Sequence, residues 1–226
     1  VFATIQPIIF VLMFRFVFGG AINVPNGSYV DFLMPGVFVQ TVVFGAVGTA
    51  IGLAADLKTG FIERFKALPM AHSSVLIARI LSDLTRNIFV VTLMTSVGFA
   101  VGFRVHTNPA QFLLAVLLLL AFGVALSFIF ATVGIMVREP ETAQAAAFPV
   151  MAPLVFASSA FVPVESMPGW LQPFAANQPV SAVITAVRSL VLGGPAVSDV
   201  LIATAWCVGI VAVAAPSAIW MYRKAV

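Results

Sequence analysis

Charge is what this chain has least of. Asp, Glu, Lys and Arg together make 8% of its 226 residues, against 62% hydrophobic. An ordinary soluble domain carries about 25% charged residues. A globule this poor in charge leaves its surface uncovered in water, so the solvent implied is a bilayer. Cysteine is nearly absent: Cys207 stands alone, which excludes an intrachain disulfide and a thiolate metal site. The two histidines, His72 and His106, fall in loops without a partner at metal spacing. No glycine-rich phosphate loop ending in Gly-Lys-Ser/Thr occurs, which excludes that mode of ATP binding. No paired carboxylates lie inside the apolar segments, so an ion-coupled carrier lacks its usual groups. No Ser–His or H-E-x-x-H arrangement lies there either, so an intramembrane hydrolase lacks its machinery. The net charge of +3 is scattered over loops, and without a basic run nothing points to nucleic acid.

What is present is apolar length. The mean hydropathy is +1.13. Six segments stand out, at residues 1–18, 32–55, 88–103, 112–137, 143–162 and 200–221. The second runs 24 residues and the fourth 26 without a charge. A helical span needs about 20 apolar residues. The reading is therefore all-α and polytopic, with six transmembrane helices in a single domain over residues 1–226. Barrel-type alternation is missing, and the segments are too long for barrel strands. No internal repeat stands out. The third segment is expected to begin earlier, as a helix projecting from the membrane. Pro149, Pro153 and Pro216 predict kinks in segments five and six, where neighbours must satisfy the freed carbonyls. The chain opens at Val1 inside an apolar stretch, which reads as a late start rather than a cleaved signal peptide.

The loops orient the bundle. Lys58, Arg64, Lys66, Arg79, Arg86, Arg138, Arg223 and Lys224 fall on one side, Arg104 and Arg188 on the other. By the positive-inside rule the side with eight is cytoplasmic, and six spans put both termini there. Trp220 and Tyr222 read as an inner interface anchor, Tyr29 and Trp170 as an outer one. Arg15 lies within the first segment, four residues before Gly19. It is expected to snorkel to the outer headgroups.

Two connections are long. In the cytoplasmic one, Gly60 opens a short helix that Pro69 ends. Phe61, Phe65 and Leu68 share one face with Ile62, while Glu63, Arg64 and Lys66 take the others. Such a helix either lies on the membrane surface or docks into a cytoplasmic partner, and the pattern leaves both open. A second helix follows Ser73 and Ser74, plausible N-caps. Along it Arg79, Asp83 and Arg86 form a stripe in which Arg79 can pair with Asp83, and a solvated or headgroup-facing stripe is expected. In the outer connection, residues 168–174 read as a short interfacial helix opened by Pro168. Residues 180–192 are apolar but too short to span. Both are read as partly re-entrant helices capping the outer end. Thr41, Gly45, Gly48 and Gly52 give the second segment a face of small residues. Gly98 and Gly102 form a second GxxxG, and close helix packing is expected of both.

Certain blocks resemble a known family. They are Asp56 to Pro69, the continuation Ser73 to Asp83, and outer segments around Phe161-Val162-Pro163, Met167 to Pro173 and Asn177-Gln178-Pro179-Val180. Together they resemble the permease subunits of ABC-2 type exporters, a type V exporter-like fold, nearest the daunorubicin-resistance permease branch. The resemblance covers nearly the whole chain. The family's cytoplasmic connecting helix before the first span is missing from it. The resemblance implies a dimer, with an identical or paralogous second permease, each half docked on an ABC ATP-binding subunit. It implies that this chain binds no cofactor and that ATP and Mg2+ sit on that partner. It makes residues 60–68 the coupling helix, with Phe61, Ile62, Glu63, Arg64, Phe65 and Leu68 in contact with the ATPase. It implies a substrate path lined by spans two and five, assigned here to Gln40, Phe44, Phe148 and Met151. The outer helices, with Pro168, Trp170, Asn177, Gln178 and Pro179, then close the exit. The expected activity is outward movement of a drug, lipid or glycolipid across a bacterial plasma membrane. An intramembrane enzyme acting on a lipid-linked substrate and a non-transporting scaffold are the competing readings.

Overall fold

The computed structural model describes residues 2–18, 29–59 and 74–225. Every regular element among them is helical. Helix α1 (Phe2–Met13) runs into a π-helical turn, Phe14–Phe18. Then come α2 (Tyr29–Lys58), α3 (Ser74–Val101), α4 (Pro109–Val137) and α5 (Pro140–Phe156). A 3-10 turn, Val164–Ser166, leads to α6 (Gln172–Asn177), α7 (Pro179–Leu192) and α8 (Ala196–Ala225).

Helices α2, α3, α4 and α8 are long and apolar enough to cross a membrane. With 28 to 30 residues each, they reach about 42–45 Å, more than the roughly 30 Å hydrocarbon core. The two remaining expected segments are shorter. α5 has 17 residues, at the lower limit of a span, and α1 has 12 before its π turn.

The third segment does start early, as α3 is continuous from Ser74. Helix starts follow local chemistry. Asn108 caps α4, its side chain accepting from the Gln111 N–H at 2.8 Å, with Pro109 in the first turn. Arg138 ends α4 in the left-handed region at φ 57°, its N–H bonded to the Gly134 carbonyl. Extended Glu139 and then Pro140 open α5, so only two residues, Arg138 and Glu139, join the helices. The fifth segment stops before its expected end at residue 162. Helix α5 ends at Phe156, and Ser158, Ser159 and Ala160 turn back into the protein interior. Gly36 makes room for that turn: a Cβ there would lie 2.2 Å from the Ala160 carbonyl oxygen.

Helix α2 is the most buried span and α8 the least. α2 packs most extensively on α4, which also carries α8. Gly134 lets α2 and α4 approach backbone to backbone, since a Cβ on it would meet the Ala50 oxygen at 2.4 Å. One large apolar cluster joins α2 to α3, α4, α5 and α7. A second contains Leu53, Leu76, Ile80, Ala131, Ile135, Ala218 and Tyr222. It brings the C-terminal ends of α2, α4 and α8 to the start of α3. Lys58 pairs with Glu139 at 2.5 Å at this same end. The opposite end holds Asp31, which accepts from the Arg104 N–H at 3.1 Å and lies 3.4 Å from His106 Nε2.

Two aromatic anchors are placed otherwise than expected. Tyr222 is fully buried in the second cluster, and Tyr29 is buried with its hydroxyl 3.4 Å from the Phe161 carbonyl. Trp220 and Trp170 are exposed, Trp220 with Lys224 Nζ 3.8 Å from its ring centroid. The tyrosines pack inward because each stands where neighbouring helix ends converge. Arg15 leads toward the end of α3, where a Cβ on Gly102 would be 3.4 Å from its Nη1.

Candidate functional site

A cavity of about 440 Å3 lies between α1, α2, α3 and α5. All four residues assigned to the substrate path from sequence, Gln40, Phe44, Phe148 and Met151, border it. Gln40 and Phe44 stand one helical turn apart on α2, and Phe148 and Met151 three residues apart on α5. Gln40 and Met151 are buried, whereas Phe148 is 57% exposed and stands where the cavity meets the surface. Phe10 from α1 and Val90 from α3 add apolar wall, and Gln6, Asn87 and Gln144 add amides.

One edge of the cavity is built by a pairing of two stripes. The charged stripe of α3 was expected to face solvent or headgroups; instead it lies on the small-residue face of α2. Arg86 Nη2 donates to the Gly45 carbonyl and sits 3.2 Å from Asp83 Oδ1. Arg79 Nη2 donates to the Gly48 carbonyl at 3.3 Å, and Nη1 lies 3.5 Å from Asp56. The expected Arg79–Asp83 pair does not form. Asp83 is 4% exposed and accepts from the Thr49 hydroxyl at 2.5 Å, and Thr49 in turn lies 3.3 Å from Ser127 on α4.

The physical reason is complementarity of spacing. α2 and α3 run antiparallel, and both stripes repeat at three to four residues. Guanidinium groups fill the volume that glycine leaves. A Cβ on Gly48 would come within 2.7 Å of Arg86 Nη1, and one on Gly52 within 1.4 Å of Arg79 Nη2. A buried carboxylate is retained only where it is paired and hydrogen-bonded, and Asp83 meets both conditions. The small-residue face is thus a seat for side chains rather than for another backbone. In the second GxxxG, Gly98 is buried where α3 packs on α2. Gly98 faces the Met34 methyl, and Gly102 ends α3 at φ 102°.

The outer-cap residues divide. Pro168, Trp170 and Asn177 are exposed, and Pro179 is half-buried. Gln178 is buried. Its Nε2 donates to the Leu154 carbonyl at 2.8 Å and the Ala157 carbonyl at 3.1 Å, tying α7 to the end of α5. Helix α6 begins at Gln172 rather than at Pro168, because the Pro168 carbonyl first closes a turn with the Leu171 and Gln172 N–H groups. α7 agrees with its expected limits, running to Leu192 and stopping at Gly193 with φ 95°. Its apolar face, with Val180, Ile184, Val187 and Val191, is buried. Arg188, counted from sequence only among the outer charges, fixes this cap. Its Nη2 donates to the Phe32 carbonyl at 3.1 Å and the Ser159 carbonyl at 3.0 Å, and its guanidinium carbon lies 3.9 Å from the Phe32 ring centroid. The putting of a single charge in an otherwise apolar short helix was the signal available. The coupling residues Phe61, Ile62, Glu63, Arg64, Phe65 and Leu68, and with them His72, lie outside the described residues.

Long apolar helices beside a cavity of mixed polarity that opens to the surface define a multi-pass membrane protein. Residues 1–192 match the model of the ABC-2 type transporter family, and the chain belongs to that family. It is 38% identical over 222 residues to the daunorubicin resistance ABC transporter permease protein DrrB1 of Streptomyces coeruleorubidus, covering 97% of this chain and 78% of the relative. It is 30% identical over 224 residues to the probable doxorubicin resistance ABC transporter permease protein DrrC of Mycobacterium tuberculosis, covering 99% and 81%. A putative transport permease, ycf38 of Cyanophora paradoxa, is 26% identical over 198 residues, or 82% of this chain and 65% of that protein.

Proposed function

We propose that this chain is the membrane-spanning permease of an ATP-driven exporter, moving a hydrophobic or amphipathic compound outward through the cavity between α1, α2, α3 and α5. The cavity carries the reading. Its roughly 440 Å3 falls within the about 300–1,000 Å3 typical of sites for drug-sized ligands. Its wall joins phenylalanines to amides, which suits a molecule that is apolar in body and polar at an edge. The relatives' names carry daunorubicin and doxorubicin, and a drug of that kind is the substrate proposed.

The energy source is a separate ATP-binding subunit holding ATP and Mg2+, because the sequence has no phosphate loop of its own. Residues 60–68 dock on it as the coupling helix. Both termini and this helix face the cytoplasm of a bacterial cell, six segments cross or nearly cross the plasma membrane, and α6 with α7 closes the outer end. A second permease, identical or paralogous, completes the transporter.

Co-purification with the ATP-binding subunit tests the coupling. A docked helix concentrates binding in a few anchors. Phe65→Ala is expected to weaken association by about 1 kcal/mol or more, and Glu63→Arg to uncouple ATP hydrolysis without altering membrane insertion. Wild-type association and wild-type coupled hydrolysis in both variants would remove residues 60–68 from that role.

A further inference from the structure

Helix α8 is the least buried span, and its two sides differ. One side, with Ala203, Cys207, Ala218 and Tyr222, packs into the two apolar clusters. The other carries Gly209, Val213, Ser217, Trp220 and Lys224, all exposed. Steps of three or four residues place these five on one face of the helix. Val213 is 72% exposed and Trp220 58%. A Cβ on Gly209 would meet nothing within 4 Å, so the face has an open dent there. The Ser217 hydroxyl donates to the Val213 carbonyl at 2.7 Å, so it needs no further partner and can lie against hydrocarbon.

At its C-terminal end the face turns basic. Lys224 Nζ lies 3.8 Å from the Trp220 ring centroid, which fixes a cation over an exposed indole. Among the described residues, neither Arg223 nor Lys224 has an ion pair. The carboxylates at this end are committed elsewhere: Asp56 pairs with Arg79, Glu139 pairs with Lys58, and Glu141 acts on Lys58. An apolar trough that ends in two unneutralised cations and an indole N–H is complementary to an acyl chain that ends in a phosphate. A choline or ethanolamine ammonium would meet the same two cations with no carboxylate to receive it. A second copy of the chain packed in parallel along this face would set Arg223 and Lys224 against their own duplicates, so charge disfavours that occupant.

We infer that this face of α8 binds an anionic glycerophospholipid, with its phosphate received by Arg223, Lys224 and the Trp220 indole N–H and one acyl chain lying along Ser217, Val213 and Gly209. Trp220 and Gly209 are about 16 Å apart along the helix, close to half of the roughly 30 Å hydrocarbon core. The chain is thus followed from the headgroup level, where tryptophan sits, to the middle of the bilayer. The lipid fills the dent and neutralises the end of the helix whose inner side carries Tyr222. It is a resident of the protein and not its cargo. The inference needs α8 to cross the membrane and does not depend on the exporter reading.

Tryptophan quenching in nanodiscs of phosphatidylcholine tests it. The full chain carries Trp170→Phe and Trp206→Phe, both at exposed positions, so that Trp220 alone reports. The quenchers are phosphatidylglycerol and phosphatidylcholine with acyl chains brominated near the headgroup. Phosphatidylglycerol is expected to occupy the site at least about fivefold more tightly than phosphatidylcholine. Replacing both cations, Arg223→Gln with Lys224→Gln, is expected to bring that ratio below about twofold. Gly209→Leu fills the dent without touching a charge or a neighbour, and is expected to lower the phosphatidylglycerol affinity at least about twofold through lost contact with the chain. Equal quenching by the two lipids in the parent overturns the inference, as does a preference that survives loss of both cations. A preference that disappears with the cations but ignores Gly209→Leu indicates a diffuse headgroup field and overturns the site. Quenching by neither lipid means that protein covers this face, a second copy or a partner, and overturns it as well.

Discussion

Asp83 joins the polar contacts among α2, α3 and α4, accepting from the Thr49 hydroxyl and pairing with Arg86. Removing it strands Thr49 and Arg86, whereas removing Asp83 and Arg86 together leaves a less costly apolar gap. Asp83→Ala is therefore expected to destabilise the protein by about 2–4 kcal/mol, and the double variant Asp83→Ala/Arg86→Met by less. Thermal unfolding in detergent checks the order. Glycines make the same argument in steric terms. Gly134→Ala forces a Cβ against the Ala50 carbonyl and is expected to cost about 1–3 kcal/mol. Gly209→Ala on α8 meets nothing within 4 Å, and its effect is expected to stay within about 0.5 kcal/mol or to stabilise. The two partners of the polar edge were both visible in the sequence as stripes. Their meeting was not, because spacing on one helix does not say which neighbour it faces. Arg79 prefers Gly48 and Asp56 across the interface to Asp83 along its own helix.

At the scale of elements, apolar length located α2, α4 and α8 well, since an uninterrupted charge-free run has one solution in a bilayer. Boundaries failed where tertiary contacts overrode composition. Residues 157–162 are as apolar as a helix, yet Gly36 and Arg188 draw them into a turn. Helix α7 was legible from its length and terminal glycines, and its latch was not, because Arg188 acts on carbonyls that carry no sequence signature. The latch has a measurable consequence. Arg188→Met keeps the apolar stem and removes both bonds to the Phe32 and Ser159 carbonyls. In a Cys207→Ser background, a cysteine placed by Ser159→Cys, a position 6% exposed, is expected to react with a small thiol reagent at least about tenfold faster in the Arg188→Met variant. An unchanged rate would mean that α7 is held by its apolar face alone.

Across the whole molecule, the cluster around Tyr222 gathers the ends of α2, α4 and α8, which carry Lys58, Arg138, Arg223 and Lys224. The charge bias predicts that this end is cytoplasmic. With an impermeant thiol reagent on intact cells, Ser166→Cys is expected to label and Ser73→Cys to stay protected, each in a Cys207→Ser background; the reverse pattern would invert the topology. The central proposal is that a separate ATP-binding subunit drives substrate through the cavity between α1, α2, α3 and α5. Doxorubicin accumulation in inverted vesicles tests it most directly. Uptake is expected only when the chain, its ATP-binding subunit and hydrolysable ATP are all present, and neither protein alone is expected to support it. ATP-independent uptake by the chain alone, or no uptake by the assembled pair while it hydrolyses ATP, would contradict the account.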